Sequence, residues 1–107
     1  MTIRFYVKTK DEPKAVGDLI CSFSFVQGIH PEDKYSWIMQ KGKGDYWEIR
    51  GKYAPLKDLS VVGLVYRAGD SVVLSDIDDS LAPVFVDPLI EKYGFDNVKW
   101  IVIPLIK

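Results

Sequence analysis

Alternation of apolar and polar residues at every second position recurs along this chain, and it constrains the fold more than any other sequence feature. Near the N-terminus, isoleucine, phenylalanine and valine alternate with arginine, tyrosine and lysine, which predicts a half-buried strand over residues 3–9. The clearest hairpin joins residues 59–67 to residues 71–75 through a short glycine-containing turn. These segments indicate a sheet built from neighbouring antiparallel strands.

Residues 19–27 continue the alternation after a charged break at residues 10–14. Leucine, cysteine and two phenylalanines occupy every second position, which predicts a second strand antiparallel to the first. Cys21 lies among these apolar residues with no neighbouring cation to lower its pKa. We therefore expect a buried and unreactive thiol.

Residues 35–41 and 45–53 alternate in the same way and are joined by a Gly-Lys-Gly connection. Connections of this length are common in hairpins, so we expect a second hairpin here, preceded by one helical turn at residues 31–34. The alternative is a helix from Pro31 to Gly42, because proline is frequent at the first helical position and two acidic residues follow it.

Residues 81–93 form the most helical segment of the sequence, and Gly94 stands where glycine commonly ends a helix. Pro88 interrupts the segment, because proline lacks the N–H that a helix interior requires. We expect either a kink at this position or a new helix capped by Asp87.

Residues 98–107 include the longest apolar stretch of the chain, and both of its alternating sides are apolar. This pattern predicts a strand buried on both faces. Pro104 confines the last residues to a sheet edge or to a point where pairing stops. An apolar edge strand can also extend the sheet of another chain, so a homodimer through this strand is one partner hypothesis.

With 48% hydrophobic and 27% charged residues, the chain has the composition of an ordinary globular domain. We expect one compact domain over residues 1–107. The predicted fold class is α+β: a mainly antiparallel β-sheet of six or seven short strands with one or two short helices, the helix at 81–93 packing on one face. A small β-sandwich or barrel is the alternative.

Composition also excludes several kinds of site. One cysteine and one histidine, His30, are too few for a structural zinc site or a disulfide framework, and we predict no metal, no cofactor and no catalytic residue. Asp76, Asp78 and Asp79 precede the predicted helix, where capping and the helix dipole explain acidic residues better than a bound cation does. The N-terminus lacks the apolar run of a signal peptide, so we expect a cytoplasmic protein.

Aromatic residues are numerous: 3 Trp, 6 Tyr and 5 Phe exceed what a core of this size readily holds. Tyrosine and tryptophan dominate binding hot spots, so we expect a partner site on the hairpin of residues 35–53. Its predicted contact residues are Trp37, Lys43, Tyr46, Trp47, Arg50 and Tyr53. The predicted function is that of a small binding module that masks a protein partner, as an inhibitor, an immunity protein or a phage anti-defence protein does.

Charge supports an alternative function. The net charge is −1, but residues 1–57 carry ten basic and seven acidic groups, whereas residues 58–107 carry four and eight. A basic and aromatic hairpin also suits single-stranded RNA or DNA. The contact residues would then be Lys41, Lys43, Tyr46, Trp47, Arg50 and Lys52. An enzyme that uses His30 with the carboxylates of residues 76–79 is a third hypothesis, and no membrane partner is expected.

Overall fold

The computed structural model describes residues 1–24, 37–53 and 56–104. In chain order these residues form β1 (Thr2–Lys8), α1 (Pro13–Ser24), β2 (Trp37–Lys41), β3 (Tyr46–Tyr53), β4 (Leu56–Ala68), β5 (Ser71–Asp78), α2 (Ala82–Tyr93) and β6 (Val98–Ile103). Short 3₁₀ turns at Asp79–Leu81 and Phe95–Asn97 flank α2.

All six strands of the described residues lie in one antiparallel sheet, in the order β2-β3-β4-β5-β1-β6. β2 and β6 are its two edges, and the sheet does not close into a barrel. The α+β class expected from the sequence is therefore confirmed. Both predicted hairpins are present, as β2–β3 and β4–β5, while the helical turn predicted at residues 31–34 lies outside the described residues.

The hydrophobic core lies between one face of the sheet and the two helices. Ile3, Phe5 and Val7 of β1 point into it and are at most 5% exposed, as their alternation predicts. Phe85 of α2 stacks on Phe5 with ring centroids 5.7 Å apart, and it contacts Trp37 of β2 at 5.6 Å. Aromatic residues buried in this way contribute strongly, since truncation of a core Phe to Ala typically costs about 3–5 kcal/mol.

The prediction of a second strand over residues 19–27 is wrong for the part that the structure describes, because α1 continues to Ser24. Pro13 begins this helix, at the position where a missing N–H costs nothing. Val16 and Ile20, four residues apart, are both fully buried. The buried residues of this segment therefore follow the spacing of a helix and not the alternation of a strand. A short apolar run does not distinguish a buried strand from a helix by periodicity alone.

α2 confirms the helix predicted at residues 81–93. Gly94 ends it with a φ of +88°, and the Gly94 N–H donates to the carbonyl of Ile90 at 2.9 Å. The new helix expected at Asp87 is not formed, since α2 runs through Pro88. The Pro88 ring is buried, and its packing in the core offsets the helix hydrogen bond that proline cannot donate.

β6 is an edge strand, and the prediction that it is buried on both faces is wrong. Among the described residues it pairs with β1 alone, and Trp100, Ile101 and Val102 are exposed. An apolar run indicates a strand but not its place in the sheet, because that place depends on the topology of the whole chain. Pairing stops at Ile103, immediately before Pro104, as the missing proline N–H predicts.

Gly51 of β3 makes room for Trp37, its cross-strand partner on β2. A Cβ atom at Gly51 would lie 2.0 Å from Trp37 Cδ1, so the indole would have to leave its place against Phe85. We expect Gly51→Ala to lower the free energy of unfolding by about 1–3 kcal/mol in urea denaturation. Gly44→Ala is the control, because its nearest atoms would be 3.5 Å away, and it should cost less than about 0.5 kcal/mol. Equal losses would contradict this account of Gly51.

Cys21 lies half-buried on α1. Burial, with the negative charge of Asp18 as a smaller cause, raises the pKa of its thiol from 9.0 to about 11. Only the thiolate reacts, so at pH 8 we expect iodoacetamide to modify the folded protein at least about tenfold more slowly than the urea-unfolded chain. Mass spectrometry of the alkylated protein measures both rates, and similar rates would show that the folded thiol is accessible and ionised.

Candidate functional site

The β2–β3 hairpin presents different residues on the two faces of the sheet. The cross-strand pairs Trp37–Gly51 and Lys41–Trp47 set its register, which turns both tryptophans toward the helices. Trp37 is only 3% exposed and packs against Phe85. Trp37, one of the predicted contact residues, therefore belongs to the core.

Trp47 is half-buried and packs at the margin of the core. The ammonium groups of Lys14 and Lys41 lie 5.7 and 6.0 Å from the centre of its ring, within the range of cation–π attraction. Lys41 also donates hydrogen bonds to the carbonyl oxygens of Gly44 and Tyr46. These two positive charges thus contact the helix side of the hairpin.

No described element covers the other face of the sheet, called the open face below, because both helices pack on the Phe5 side and contact each other. Its central feature is a row of directly opposed side chains on four neighbouring strands: Tyr6 of β1, Val73 of β5, Tyr66 of β4 and Tyr46 of β3. At the usual strand spacing this row spans about 14 Å. The open face also includes Arg4, Lys8, Ile38, Glu48, Arg50, Val61, Leu64, Lys99 and Ile101.

Arg4 lies beside the tyrosine row, two residues before Tyr6 on β1. Its Nη1 donates to the Tyr6 hydroxyl at 3.5 Å. That hydrogen bond, with smaller contributions from Tyr66 and Asp76, raises the pKa of the Arg4 guanidinium. The Nε atom is buried and has no hydrogen-bond acceptor among the described residues. A buried donor in this condition is uncommon and costs free energy.

Arg50 is a second arginine of the open face with a side-chain donor that has no acceptor among the described residues. Its Nη2 donates to Glu48 Oε2 at 2.8 Å in a partly buried ion pair. Its Nε is also buried, without an acceptor in the part of the chain that the structure describes. Arg4 and Arg50 lie on the same side of the tyrosine row, on β1 and β3, and each retains hydrogen-bonding capacity.

A β-bulge lies opposite Arg4. Two residues of β5, Ser75 and Asp76, oppose this single residue of β1. Asp76 has a φ of +60°, the one positive φ at a non-glycine position in residues 1–24, 37–53 and 56–104. Bulges re-aim side chains, and backbone strain of this kind concentrates at functional sites. The bulge and the Arg4 Nε atom that has no acceptor among the described residues therefore lie in the same part of the open face.

A cleft of about 280 Å³ lies at the end of the tyrosine row that Tyr6 forms. Its lining residues are Tyr6, Lys8, Ser71, Asp96, Asn97 and Lys99. The cleft brings two lysines close to one aspartate, so this end of the open face is of mixed charge and not uniformly basic.

The six predicted contact residues are divided between the two faces. Tyr46 and Arg50 lie on the open face and Lys43 is exposed in the β2–β3 turn, Trp37 and Trp47 lie on the helix side, and the side chain of Tyr53 is outside the described part. Sequence reasoning missed Tyr6, Tyr66 and Arg4 as site residues. Alternation along β1 signals that Arg4 and Tyr6 point away from the core, but not which strands lie beside them.

Of the acidic cluster, Asp78 caps the 3₁₀ turn that precedes α2, whereas α2 itself has no side-chain cap and Asp76 lies in the bulge. Asp78 Oδ1 accepts hydrogen bonds from the Ser80 N–H at 2.9 Å and from the Ser80 hydroxyl at 2.7 Å, which hold the pKa of Asp78 below its usual value. Within the described ranges, no group of three or more His, Cys, Asp and Glu residues is placed to hold a metal ion, and no helix is long and apolar enough to cross a membrane. His30, on which the enzyme hypothesis depends, lies outside these ranges.

No protein-family model, no curated protein and no solved structure matches the chain. An assignment of function therefore depends on the chemistry of the open face.

Asp76 provides a test of the bulge. Alanine is usually more stable than glycine within a strand or helix, but at a φ of +60° its Cβ is strained. Both substitutions remove the carboxylate, so we expect Asp76→Gly to be more stable than Asp76→Ala by about 1 kcal/mol in urea denaturation. Asp87 in α2 is the control, where alanine should exceed glycine by about 1 kcal/mol. If the alanine variant were more stable than the glycine variant at both positions, the backbone at Asp76 would not be strained.

Proposed function

We propose that the protein is a small binding module that contacts a protein partner, one to one, through the open face and thereby masks a surface of that partner. The observation that carries this proposal is the row of Tyr6, Tyr66 and Tyr46 beside two partly exposed arginines, Arg4 and Arg50. Tyrosine and arginine are among the residues that most often supply the energy of protein–protein binding. The open face concentrates both.

Aliphatic side chains extend the tyrosine row toward the margins of the open face. Ile38, Val61 and Ile101 are all exposed, on three different strands. Interfaces are enriched in aromatic residues and arginine at their centre and depleted there in lysine and acidic residues. The open face has aromatic residues and arginine at its centre and its lysines, Lys8 and Lys99, at one end; its carboxylates are Glu48, which is paired with Arg50, and Asp76.

The arrangement of charge favours a protein over single-stranded nucleic acid. A nucleic-acid groove needs its basic residues along one path. Lys41 instead lies over Trp47 on the helix side, and Arg50 is paired with Glu48. Asp76 adds a second carboxylate to the open face, and negative groups among the contact residues would repel phosphates.

The chemistry of the open face also indicates what the partner presents. Arg4 and Arg50 are partly exposed and carry further N–H donors on their Nη atoms, which acceptors on a partner could use; their buried Nε atoms are out of its reach. We infer a partner surface with backbone carbonyl oxygens around an apolar centre, since Glu48 and Asp76 would repel carboxylates as they repel phosphates. Masking such a surface is how an inhibitor, an immunity protein or a phage anti-defence protein acts, and we place this protein among them. A cytosolic site of action suits a chain with a single cysteine.

The test compares Tyr66→Ala, which removes the ring at the centre of the open face, with Lys92→Ala, an exposed residue on α2. Proteins retained by the immobilised wild type from an extract of its native host are identified, purified and titrated calorimetrically against all three forms. We expect a stoichiometry of one, at least about 30-fold weaker binding by Tyr66→Ala, and unchanged binding by Lys92→Ala. Circular dichroism checks that each variant is folded.

Three results would overturn the proposal. The first is a partner that binds Tyr66→Ala as tightly as the wild type, which would place the contact elsewhere. The second is the absence of any retained protein that distinguishes the two variants. The third is binding of labelled oligo(U) or oligo(dT) at about 50 mM salt that weakens steeply as salt rises and requires Tyr66, which would establish the nucleic-acid alternative.

A further inference from the structure

β6 is an exposed edge with almost no charge. Its consecutive residues Trp100, Ile101 and Val102 are 39%, 49% and 51% exposed, and Lys99 is the one charged residue of the strand. The edge of a sheet presents unpaired N–H and C=O groups, and proteins usually protect it with charged residues, proline or a very short strand. At β6, Lys99 and Pro104, which lies just beyond the strand, are the residues of this kind.

β2, the opposite edge, exposes fewer apolar residues. It has five residues and ends in Gln40 and Lys41, both exposed. Its one strongly exposed apolar residue is Ile38. The two edges of the same sheet therefore differ, and β6 is the one that suits pairing with another strand.

We propose that β6 pairs with the β6 of a second copy of this chain, antiparallel, about a two-fold axis at Ile101. Residues directly opposite each other in an antiparallel pair point to the same face, so both helical layers lie on one side of the joined sheet. The two open faces lie together on the other side. The dimer is then a continuous sheet of twelve strands.

Charge selects the register. An axis at Ile101 places Trp100 opposite Val102 of the second copy on the helix side, and the two Ile101 side chains together on the open face. The two Lys99 residues are then offset by four positions, about 13 Å. That distance exceeds the screening length of about 8 Å at physiological ionic strength, so their repulsion is weak. An axis at Trp100 would halve the offset.

The size of the contact predicts a weak dimer. The exposed parts of Trp100, Ile101 and Val102 amount to roughly 500 Å² for two copies, taking usual side-chain areas. A standard protein interface buries about 1,200–2,000 Å², so even with the backbone contribution this one is at the small end. We therefore expect dissociation on dilution in the micromolar range. This dimer does not depend on the proposed function, because the tyrosine row stays accessible in it.

The experiment compares Ile101→Glu with Ile38→Glu by sedimentation equilibrium over about 1 µM to 1 mM protein. The two positions are matched: each isoleucine is about half exposed on an edge strand, and each lies opposite an arginine of the next strand, Arg4 or Arg50. Within one copy each introduced carboxylate can pair with that arginine. In the proposed dimer, however, the two carboxylates introduced by Ile101→Glu would face each other across the axis.

We expect a monomer–dimer equilibrium for the wild type, a dissociation constant raised more than tenfold by Ile101→Glu, and no change for Ile38→Glu. A wild type that stays monomeric at 1 mM would overturn the proposal. So would dissociation caused by Ile38→Glu, or an unaffected Ile101→Glu dimer. If Ile101→Glu does not fold, a second pair of variants decides the question.

That pair is Ile101→Cys and Ile38→Cys, each in a Cys21→Ala background. Opposed residues of an antiparallel pair are close enough for a disulfide, with Cα atoms about 4.5–5.5 Å apart. Mild oxidation should link Ile101→Cys into a covalent dimer at least about tenfold faster than Ile38→Cys. Equal rates would contradict the register and the interface together.

Discussion

The contacts of the Phe85 ring are the constraint on which the rest of the structure depends. The rings of Phe5 and Trp37 both lie within 5.7 Å of it, although β1 and β2 are four positions apart in the sheet. In a flat sheet that separation would be roughly 19 Å. The sheet therefore curves around Phe85, and the register shifts, one in the β1–β5 pair and two in the β3–β4 pair, supply bending and twist.

Curvature toward the helices makes the open face convex. Away from the cleft beside Tyr6, such a face does not enclose a small molecule, whereas binding pockets for substrates and cofactors are concave. Its tyrosine row, its two incompletely bonded arginines and the bulge at Asp76 instead suit contact with another macromolecule. The geometry that buries one face thus shapes the other face for binding, and it leaves β6 exposed at the end of the same sheet.

Much of the fold could be predicted from alternation and turn chemistry. β1, both hairpins, α2 and its end at Gly94 all follow from local patterns. The failures share one cause: α1 and β6 are apolar on more than one side, so their patterns match several environments. For the site, alternation correctly separates Tyr46 and Arg50 from the tryptophans of the hairpin. It does not show which of the two sets is buried.

The sequence by itself determined where strands and turns lie and which residues share a side of each strand, because these depend on local backbone preferences and a period of two. The tertiary structure decided which side faces the helices and which strands are neighbours. Tyr6 and Tyr66 are 60 positions apart in the chain, yet a single strand lies between them in the sheet. Only strand pairing over such separations creates the open face, and the topology of the described strands places β6 at an edge of the sheet.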